Sequence, residues 1–396
     1  MSKSFLIVAK LLAAVGLLLF LLTAVFSVRL SAAAAALPAP SAVPTAAPVP
    51  EATPEPAAEL TSEPTPEPTP EPAPEPTEEH FLISMVGDCT LASYPEISGY
   101  GSAIEQVVNG DWSYPFSHVA DLFSADEFTL ANLECSLTDQ PAWSGSRFSF
   151  RAPAAAAEVL KKGSVEFVNT ANNHAMDFGQ AIYDDTLANL DAAGIGYTGE
   201  GEKRIWETEH GLCIGVFSAY NGFYPDKNTV VSGINALKAQ QPDVIIVSLH
   251  WGVEGSYYQS ADQTAVAHAA IDAGADIVFG HHPHRLQPME IYNGRYIFYS
   301  MGNFCFGGNT LPSDMDTAIA QVEVIRQPDG AVSLGGYKLL PCSISSSAEV
   351  NDYCPTLFEE GTDAYERALS KISGTFSGAN SNIDYSFMDK SGEGDA

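Results

Sequence analysis

The sequence predicts an α/β domain with a mixed sheet or two stacked sheets, set behind an apolar anchor and an extended linker. From residue 81 to about 279, strand-like apolar runs alternate with helix-spaced segments, the pattern of strands joined by helices. From 286 to 340 strand-like runs follow one another directly, with N-G and D-G turn signals between some of them. A third observation concerns chemistry. Five apolar runs end in residues that ligate metals: V-G-D-C (86–89), A-N-L-E (131–134), A-N-N-H-A-M-D (171–177), S-L-H-W-G (248–252) and G-H-H-P-H (280–284).

Taken in order, the chain opens with Lys3 and Lys10 beside an apolar stretch, 11–28, interrupted only by Gly16, Thr23 and Ser27 and closed by Arg29. About 18 to 20 apolar residues cross a bilayer as a helix. Residues 1–10 therefore read as a cytoplasmic end and 11–30 as a single-pass anchor in the cell membrane, with the bulk of the chain extracellular. A cleaved signal peptide competes, since 31–36 supplies small residues; the length of the apolar run and the tether behind it favour the anchor. Residues 31–79 are that tether. From 37 on they are mostly Pro, Ala, Thr and Glu, with E-P-T-P-E-P repeats from 63, so no core can offset the entropy of ordering and disorder is expected. At ~3.1 Å per residue those last ~43 residues reach roughly 130 Å.

Residues 80–345 read as the domain. A strand at 81–86 ends at Gly87, which lets the chain turn sharply and present Asp88. A strand at 127–131 precedes N-L-E, a helix at 153–162 has Pro153 at its start, and 165–170 is the next strand. A helix at 180–193 stops at Gly194. Strands at 212–218 and 243–249, a helix at 260–273 and a strand at 276–279 follow, then strands at 286–292, 296–300, 317–326 and 331–340. Residues 346–396 read as an extension, partly helical, then polar and disordered from about 375.

The formal net charge is −31, and −25 remains on 80–396 without Lys3, Lys10, Arg29 and the nine glutamates of 51–79. Such a surface disfavours nucleic acid and anionic membrane partners, and repels a polyanion unless metal ions or local arginines intervene. The six cysteines form no C-x-x-C pair. An extracellular address permits disulfides, and Cys342–Cys354 is the candidate bridge. Cys89 and Cys135 each follow a candidate ligand and are expected beside the site; Cys213 and Cys305 read as buried free thiols.

A divalent metal that activates water wants oxygen and imidazole ligands with an open position. Asp88 and Glu134 end their strands as carboxylates, where ligands of open α/β sheets collect. In A-N-N-H-A-M-D, Asn173 offers a neutral carbonyl ligand and His174 an acid or a phosphate contact, while Asp177 suits an N-cap of the following helix. His250 ends a strand too apolar to need a histidine for packing. His282 and His284 of H-P-H fall on one side of an extended chain; His281 reads as their neighbour, and His118, His210 and His268 as ordinary histidines. Arg147 and Arg151 can meet a phosphate or carboxylate as a planar fork, or form surface ion pairs. Glu254 is either an acid that orients a ligand imidazole or an exposed loop acid. Mixed O/N ligation suits Mn²⁺, Fe²⁺ or Zn²⁺ better than Ca²⁺. There is no G-x-S-x-G elbow, no Walker-type G-x-x-x-x-G-K and no H-E-x-x-H helix.

Together these motifs resemble the CapA-type family of capsule (poly-γ-glutamate) biosynthesis, which is itself similar to the calcineurin-like metallophosphatases. The resemblance covers about 81–310, in G-D-C-T-L, A-N-L-E-C-S-L-T, A-N-N-H-A-M-D-F-G, H-W-G-V-E, G-A-D-I-V-F-G-H-H-P-H and Y-S-M-G-N-F, in that order. It implies a four-layer αββα sandwich with one or two divalent ions at the strand ends. Asp88 then takes the place of the first-motif aspartate, Glu134 of the bridging acid, Asn173 with His174 of the N-H pair, and His250, His282 and His284 of the late histidines. The chain departs from the metallophosphatase pattern at Thr90, where a histidine is expected, and at Glu134, where an aspartate is; both shift the expectation from two ions towards one. The resemblance implies a tethered, metallophosphatase-like protein working with other membrane subunits of a capsule polymer synthase on an anionic polymer or phosphoester. The alternatives are a non-catalytic metal-binding scaffold of that synthase and a general surface metallophosphoesterase.

Overall fold

The computed structural model describes residues 77–94 and 103–380. The anchor expected at 11–30 and nearly all of the linker expected at 31–79 lie outside the described residues, as does 381–396. Among the described residues no helix is long and apolar enough to cross a membrane.

The chain forms strand β1 (Glu79–Thr90), helices α1 (Ile104–Val108) and α2 (Ala120–Phe123), then β2 (Phe128–Leu133) and the short strands β3 (Ser136–Leu137) and β4 (Arg151–Ala152). Helix α3 (Ala157–Lys162), β5 (Phe167–Asn169), α4 (Gln180–Ala193), β6 (Gly196–Thr198), β7 (Lys203–Glu207) and β8 (Cys213–Ala219) follow. Next come α5 (Lys227–Lys238), β9 (Val244–His250), α6 (Ala261–Ala273), β10 (Ile277–His281), β11 (Met289–Tyr292), β12 (Arg295–Phe298) and β13 (Asn303–Phe306). The chain closes with β14 (Asp316–Arg326), β15 (Val332–Ser343), β16 (Thr356–Leu357) and α7 (Asp363–Ile372).

Two mixed sheets result. One runs β16-β15-β14-β1-β2-β5-β6, with β13 added beside β1; the other runs β11-β12-β10-β9-β8-β7. In the second, β12, β10, β9 and β8 are parallel and the edge strands β11 and β7 antiparallel. The inner faces share one core, in which Ile83, Met85, Phe128 and Leu130 meet Ile214, Val216, Val244 and Ile246. Helices α1 to α4 cover the outer face of the first sheet, and α5 with α6 that of the second. Strand β9 shows why its sequence is apolar throughout. Val244 and Ile246 face the inter-sheet core while Ile245, Val247 and Leu249 face the helices, so both faces are buried. The same alternation gives His250 the inter-sheet face.

Local signals explain the helix ends. Gly194 at φ +82° closes α4, and Ser260 with Gln263 forms a capping box at the start of α6. Beyond 345 the chain continues the same body. Strand β16 pairs with β15, and α7 is pinned by Arg367 and Lys371 to Asp316.

Two expectations need correction. Gly87 does not turn the chain: β1 continues through it, and a Cβ there would stand 2.0 Å from Gly302 O. Gly87 is needed for close backbone approach, since Asp88 N–H donates to Gly302 O at 2.9 Å. At this point β1 exchanges its antiparallel partner β14 for the parallel β13, placing Asp88 opposite Asn303. Cys342 and Cys354 are not bridged; all six cysteines are free. The Cys342 thiol donates to Leu340 O at 3.1 Å, and Cys354 Sγ lies 3.6 Å from Ser117 Oγ.

Candidate metal centre

The strands that carry the predicted ligands run parallel within their sheets and end at one edge. Asp88 comes from β1, Glu134 from the end of β2, Asn173 and His174 from the loop after β5, His250 from β9, and His282 and His284 from the loop after β10. The structure brings all of them together. Ligand atoms of Asp88, His250 and His281 lie within 4.8 Å of one another, as do those of Glu134, His282 and His284, and all six residues are buried. Direct contacts join the groups. Asp88 Oδ2 is 3.2 Å from His284 Nδ1, Glu134 Oε1 is 3.4 Å from His250 Nε2, and His250 Nε2 lies 2.7 Å from Asn173 Oδ1.

The loop geometry differs from the expected extended chain. His282 and His284 hold φ values of +100° and +53° on either side of Pro283. Left-handed backbone is unfavourable for both residues, so the turn, and not strand alternation, aims the two imidazoles inward. His281, expected only as a neighbour, stands in a candidate group: its Nδ1 is 3.1 Å from His250 Nδ1 and its Nε2 is 2.8 Å from Ser248 Oγ.

Sequence reasoning missed the asparagines that position the ligands. Buried Asn132 donates to Asp88 Oδ1 at 2.8 Å and accepts from Asn169 Nδ2 at 2.7 Å and Asn172 Nδ2 at 3.1 Å. Asn172 also accepts from His174 N–H at 3.1 Å, and Asn303 Oδ1 lies 2.8 Å from His284 Nδ1. A signal for them existed, because an asparagine inside a buried apolar run is costly without partners. Asp177 does not cap α4, whose N-cap is Gly179. Its Oδ2 lies 2.9 Å from His174 Nδ1 and accepts from Phe150 N–H at 3.0 Å. A carboxylate only accepts, so Nδ1 of His174 carries the proton and Nε2 is left for other work.

The electrostatics suit a divalent cation. Burial, with Asp88 next, pushes Glu134 well above the usual carboxylate range. Burial works against charge on His284 too, but Glu134 and Asp88 lift it to about 10. Asp88 is held low: burial would raise it, and the hydrogen bond and charge of His284 outweigh that. Burial brings His281 down to about 4 and His282 to about 3, and carries His250 far below the usual imidazole value. Three neutral imidazoles thus keep lone pairs beside Asp88 and Glu134. Glu134 Oε1 and His282 Nδ1, members of the same group, are buried without a hydrogen-bond partner among the described residues. Orphaned polar atoms are costly in an interior, and a divalent cation between them satisfies both, so the residues fit such an ion.

The centre opens on a cavity of about 350 Å³ walled by Glu134, Asn173, His174, Asp177 and Phe150, with Glu254 at its rim. Exposed Glu254 makes no hydrogen bond to a histidine among the described residues, and its charge adds to the upward push on Glu134. Neither predicted arginine lines this cavity. The Arg147 guanidinium sits 5.6 Å from the Phe148 ring, and Arg151 belongs to an adjoining cavity.

Fold and site define a two-sheet α/β protein with a buried carboxylate–imidazole centre suited to a divalent metal. The chain belongs to the family described as bacterial capsule synthesis protein PGA_cap, which it matches over residues 82–308. It is 32% identical over 270 residues to the PGA biosynthesis protein CapA of Bacillus subtilis, covering 62% of this chain and 68% of that one. To the capsule biosynthesis protein CapA of Bacillus anthracis it is 28% identical over 256 residues, covering 58% and 60%. To a probable polyglutamine synthesis accessory protein of Mycobacterium tuberculosis it is 28% identical over 247 residues, covering 52% and 65%. The chain thus spans between 60% and 68% of the lengths of these curated relatives. Among solved structures, the NAD nucleotidase of Haemophilus influenzae aligns with a TM-score of 0.39 and 14% identity, over 79% of this chain and 67% of that one. The 5'-nucleotidase of Candida albicans aligns with a TM-score of 0.42 and 13% identity, over 74% and 56%.

Proposed function

We propose that this chain is a membrane-anchored, outward-facing protein of poly-γ-glutamate capsule production whose domain is a metal-dependent hydrolase of the metallophosphatase kind. The relatives' names and the tethered arrangement of the sequence support the pathway and the address. One observation carries the chemistry: two buried groups of carboxylate and imidazole atoms lie together, Glu134 and His284 of the second group line a cavity, and Glu134 Oε1 and His282 Nδ1 have no hydrogen-bond partner among the described residues. Asp88, Glu134, Asn173, His250, His282 and His284 would hold the ion, with His281 available to the first group; Mn²⁺, Fe²⁺ or Zn²⁺ suits this donor set. A bound divalent ion supplies Lewis acidity and water of lowered pKa.

The chain's own groups do the rest. Asp177 fixes the tautomer and tilt of His174, so its Nε2 can hold a proton at the cavity wall and pass it to a leaving group. Phe150, packed edge-on at 4.7 Å from the His174 ring, keeps that imidazole in place and the wall apolar. Asn132 and Asn303 hold Asp88 and His284 in position.

A second reading, a scaffold that binds metal without turnover, is favoured by Thr90. It stands where metallophosphatases carry a histidine and only donates a long hydrogen bond, 3.4 Å, to Glu134. The test uses the purified full-length chain loaded with Mn²⁺ or Zn²⁺ and offered an aryl phosphate, a cyclic nucleotide and poly-γ-glutamate. The expected result is bound metal and turnover of the polymer, with His174→Ala lowering kcat at least a hundredfold while keeping the metal. Metal without turnover moves the reading to the scaffold, turnover of phosphoesters alone moves it to a surface phosphoesterase, and failure to retain metal sinks all three.

A further inference from the structure

A second cavity, of about 400 Å³, adjoins the metal cavity, and Ser146 lines both. Its other walls include Glu105, Trp143, Ser149, Arg151 and Phe178. Two groups there carry unspent charge. Arg151 is exposed, gives one guanidinium N–H to Gln140 O at 2.7 Å, stands 6.0 Å from the Phe178 ring, and pairs with no carboxylate among the described residues. Glu105 accepts from Ser93 N–H through Oε1 at 2.8 Å, while its Oε2 is buried and has no hydrogen-bond partner among the described residues. The two do not pair with each other. A cavity that offers a guanidinium fork and, in its wall, a buried carboxylate oxygen short of a hydrogen-bond partner matches a ligand with a carboxylate and an ammonium on neighbouring atoms. It matches a phosphate or a plain polyanion poorly, because Glu105 repels either.

A γ-linked glutamyl chain presents that pair in only one place. Its internal residues show an α-carboxylate alone; its amino-terminal residue shows both the α-carboxylate and the free α-ammonium. Two methylene groups then separate this head from the first γ-amide, a short reach suited to adjoining cavities. Recognition of the end also answers an electrostatic difficulty, since a chain of net charge −31 repels the body of a polyanion but not a zwitterionic terminus. Trp143, 86% exposed at the rim, adds an apolar plane for the methylenes.

We propose that this second cavity is the recognition subsite for the zwitterionic amino end of a γ-glutamyl chain, Arg151 taking the α-carboxylate and Glu105 the α-ammonium, so that the first γ-amide lies toward the metal centre across Ser146. The assignment rests on the reading that the metal cavity acts on polyglutamate. It is tested on the full-length protein by calorimetry and tryptophan fluorescence with γ-glutamyl-glutamate and its N-acetyl derivative, with and without Mn²⁺. The unmodified dipeptide is expected to bind at least tenfold more tightly than the acetylated one. Glu105→Gln should abolish that preference, and Arg151→Gln should weaken both ligands at least tenfold, with Arg151→Lys between; metal content stays unchanged in all three. Equal affinity for both dipeptides in the unaltered protein, or an Arg151→Gln protein that binds as well as the parent, overturns the assignment. Dipeptide preference without polymer turnover leaves the subsite standing and removes the hydrolase; turnover without the preference does the reverse.

Discussion

Asn132 donates to Asp88 and accepts from Asn169 and Asn172 in an interior that water does not reach. Replacing its amide with an apolar group of similar size leaves three polar groups short of a partner, each at about 1–3 kcal/mol. Asn132→Leu is therefore expected to lose at least about 3 kcal/mol in chemical denaturation and at least tenfold in metal affinity by titration, since Asp88 loses its brace. Gly87 is a steric case. Gly87→Ala places a methyl group 2.0 Å from Gly302 O, so β1 and β13 must separate. The expected result is a protein that melts several degrees lower and binds metal more weakly, because Asp88 and Asn303 shift with their strands. At this scale the sequence was readable where the chemistry was unusual for its setting. A histidine ending V-I-I-V-S-L-H or a carboxylate ending A-N-L-E has few packing explanations. It was less readable for Asn132 and Asn303, whose work depends on neighbours 37 to 44 residues away for the first and 19 for the second.

Helix α7 and the segment behind it hold the loops that shape the centre. Lys371, 3% exposed, lies 2.7 Å from both Asp314 and Asp316, and Tyr257 donates to Asp314 at 2.7 Å. Tyr258 donates to Phe376 O and Gly378 O, while Arg285 donates to the carbonyl of His284 at 2.9 Å. Removing one partner of a buried ion pair strands the other, at about 3–5 kcal/mol. Lys371→Met is expected to cost that order in denaturation and to speed hydrogen exchange in 253–258, the stretch that carries Glu254. The sequence foresaw a helical extension but not its purchase on the loops, because nothing local in 363–380 announces which distant aspartates it will meet. The four-residue strand β13 escaped for a similar reason: among the described residues its one strand partner is β1, more than 200 residues earlier.

The molecule as a whole is strongly acidic, and at the end of the sheet away from the metal centre some of that acidity is half-buried. Glu166 accepts from Thr129 N–H at 2.7 Å and is pushed up to about 7 by burial, with Asp126 adding to the effect; burial raises Asp126 to about 6. Both groups bind protons more tightly folded than unfolded, so their contribution to stability is complete below the unfolded values near 4 and is lost as pH rises through about 6 and 7. Denaturation midpoints are expected to fall between pH 5 and pH 8. Glu166→Gln should be more stable than the parent at pH 8, by on the order of 1–3 kcal/mol, with the gap closing at pH 5.

By itself the sequence determined the class of fold, the order of most elements and the identity of the ligand-type residues. Those properties are written in local periodicity, in turn and cap residues, and in polar groups placed against an apolar background. Only the tertiary structure decided that β1 changes partner at Asp88, that a left-handed turn and not an extended strand aims His282 and His284, and that Arg151 lines a neighbouring cavity. Each of these depends on which distant backbone fills the space beside a strand. That is settled by the packing of two sheets and not by any short run of residues.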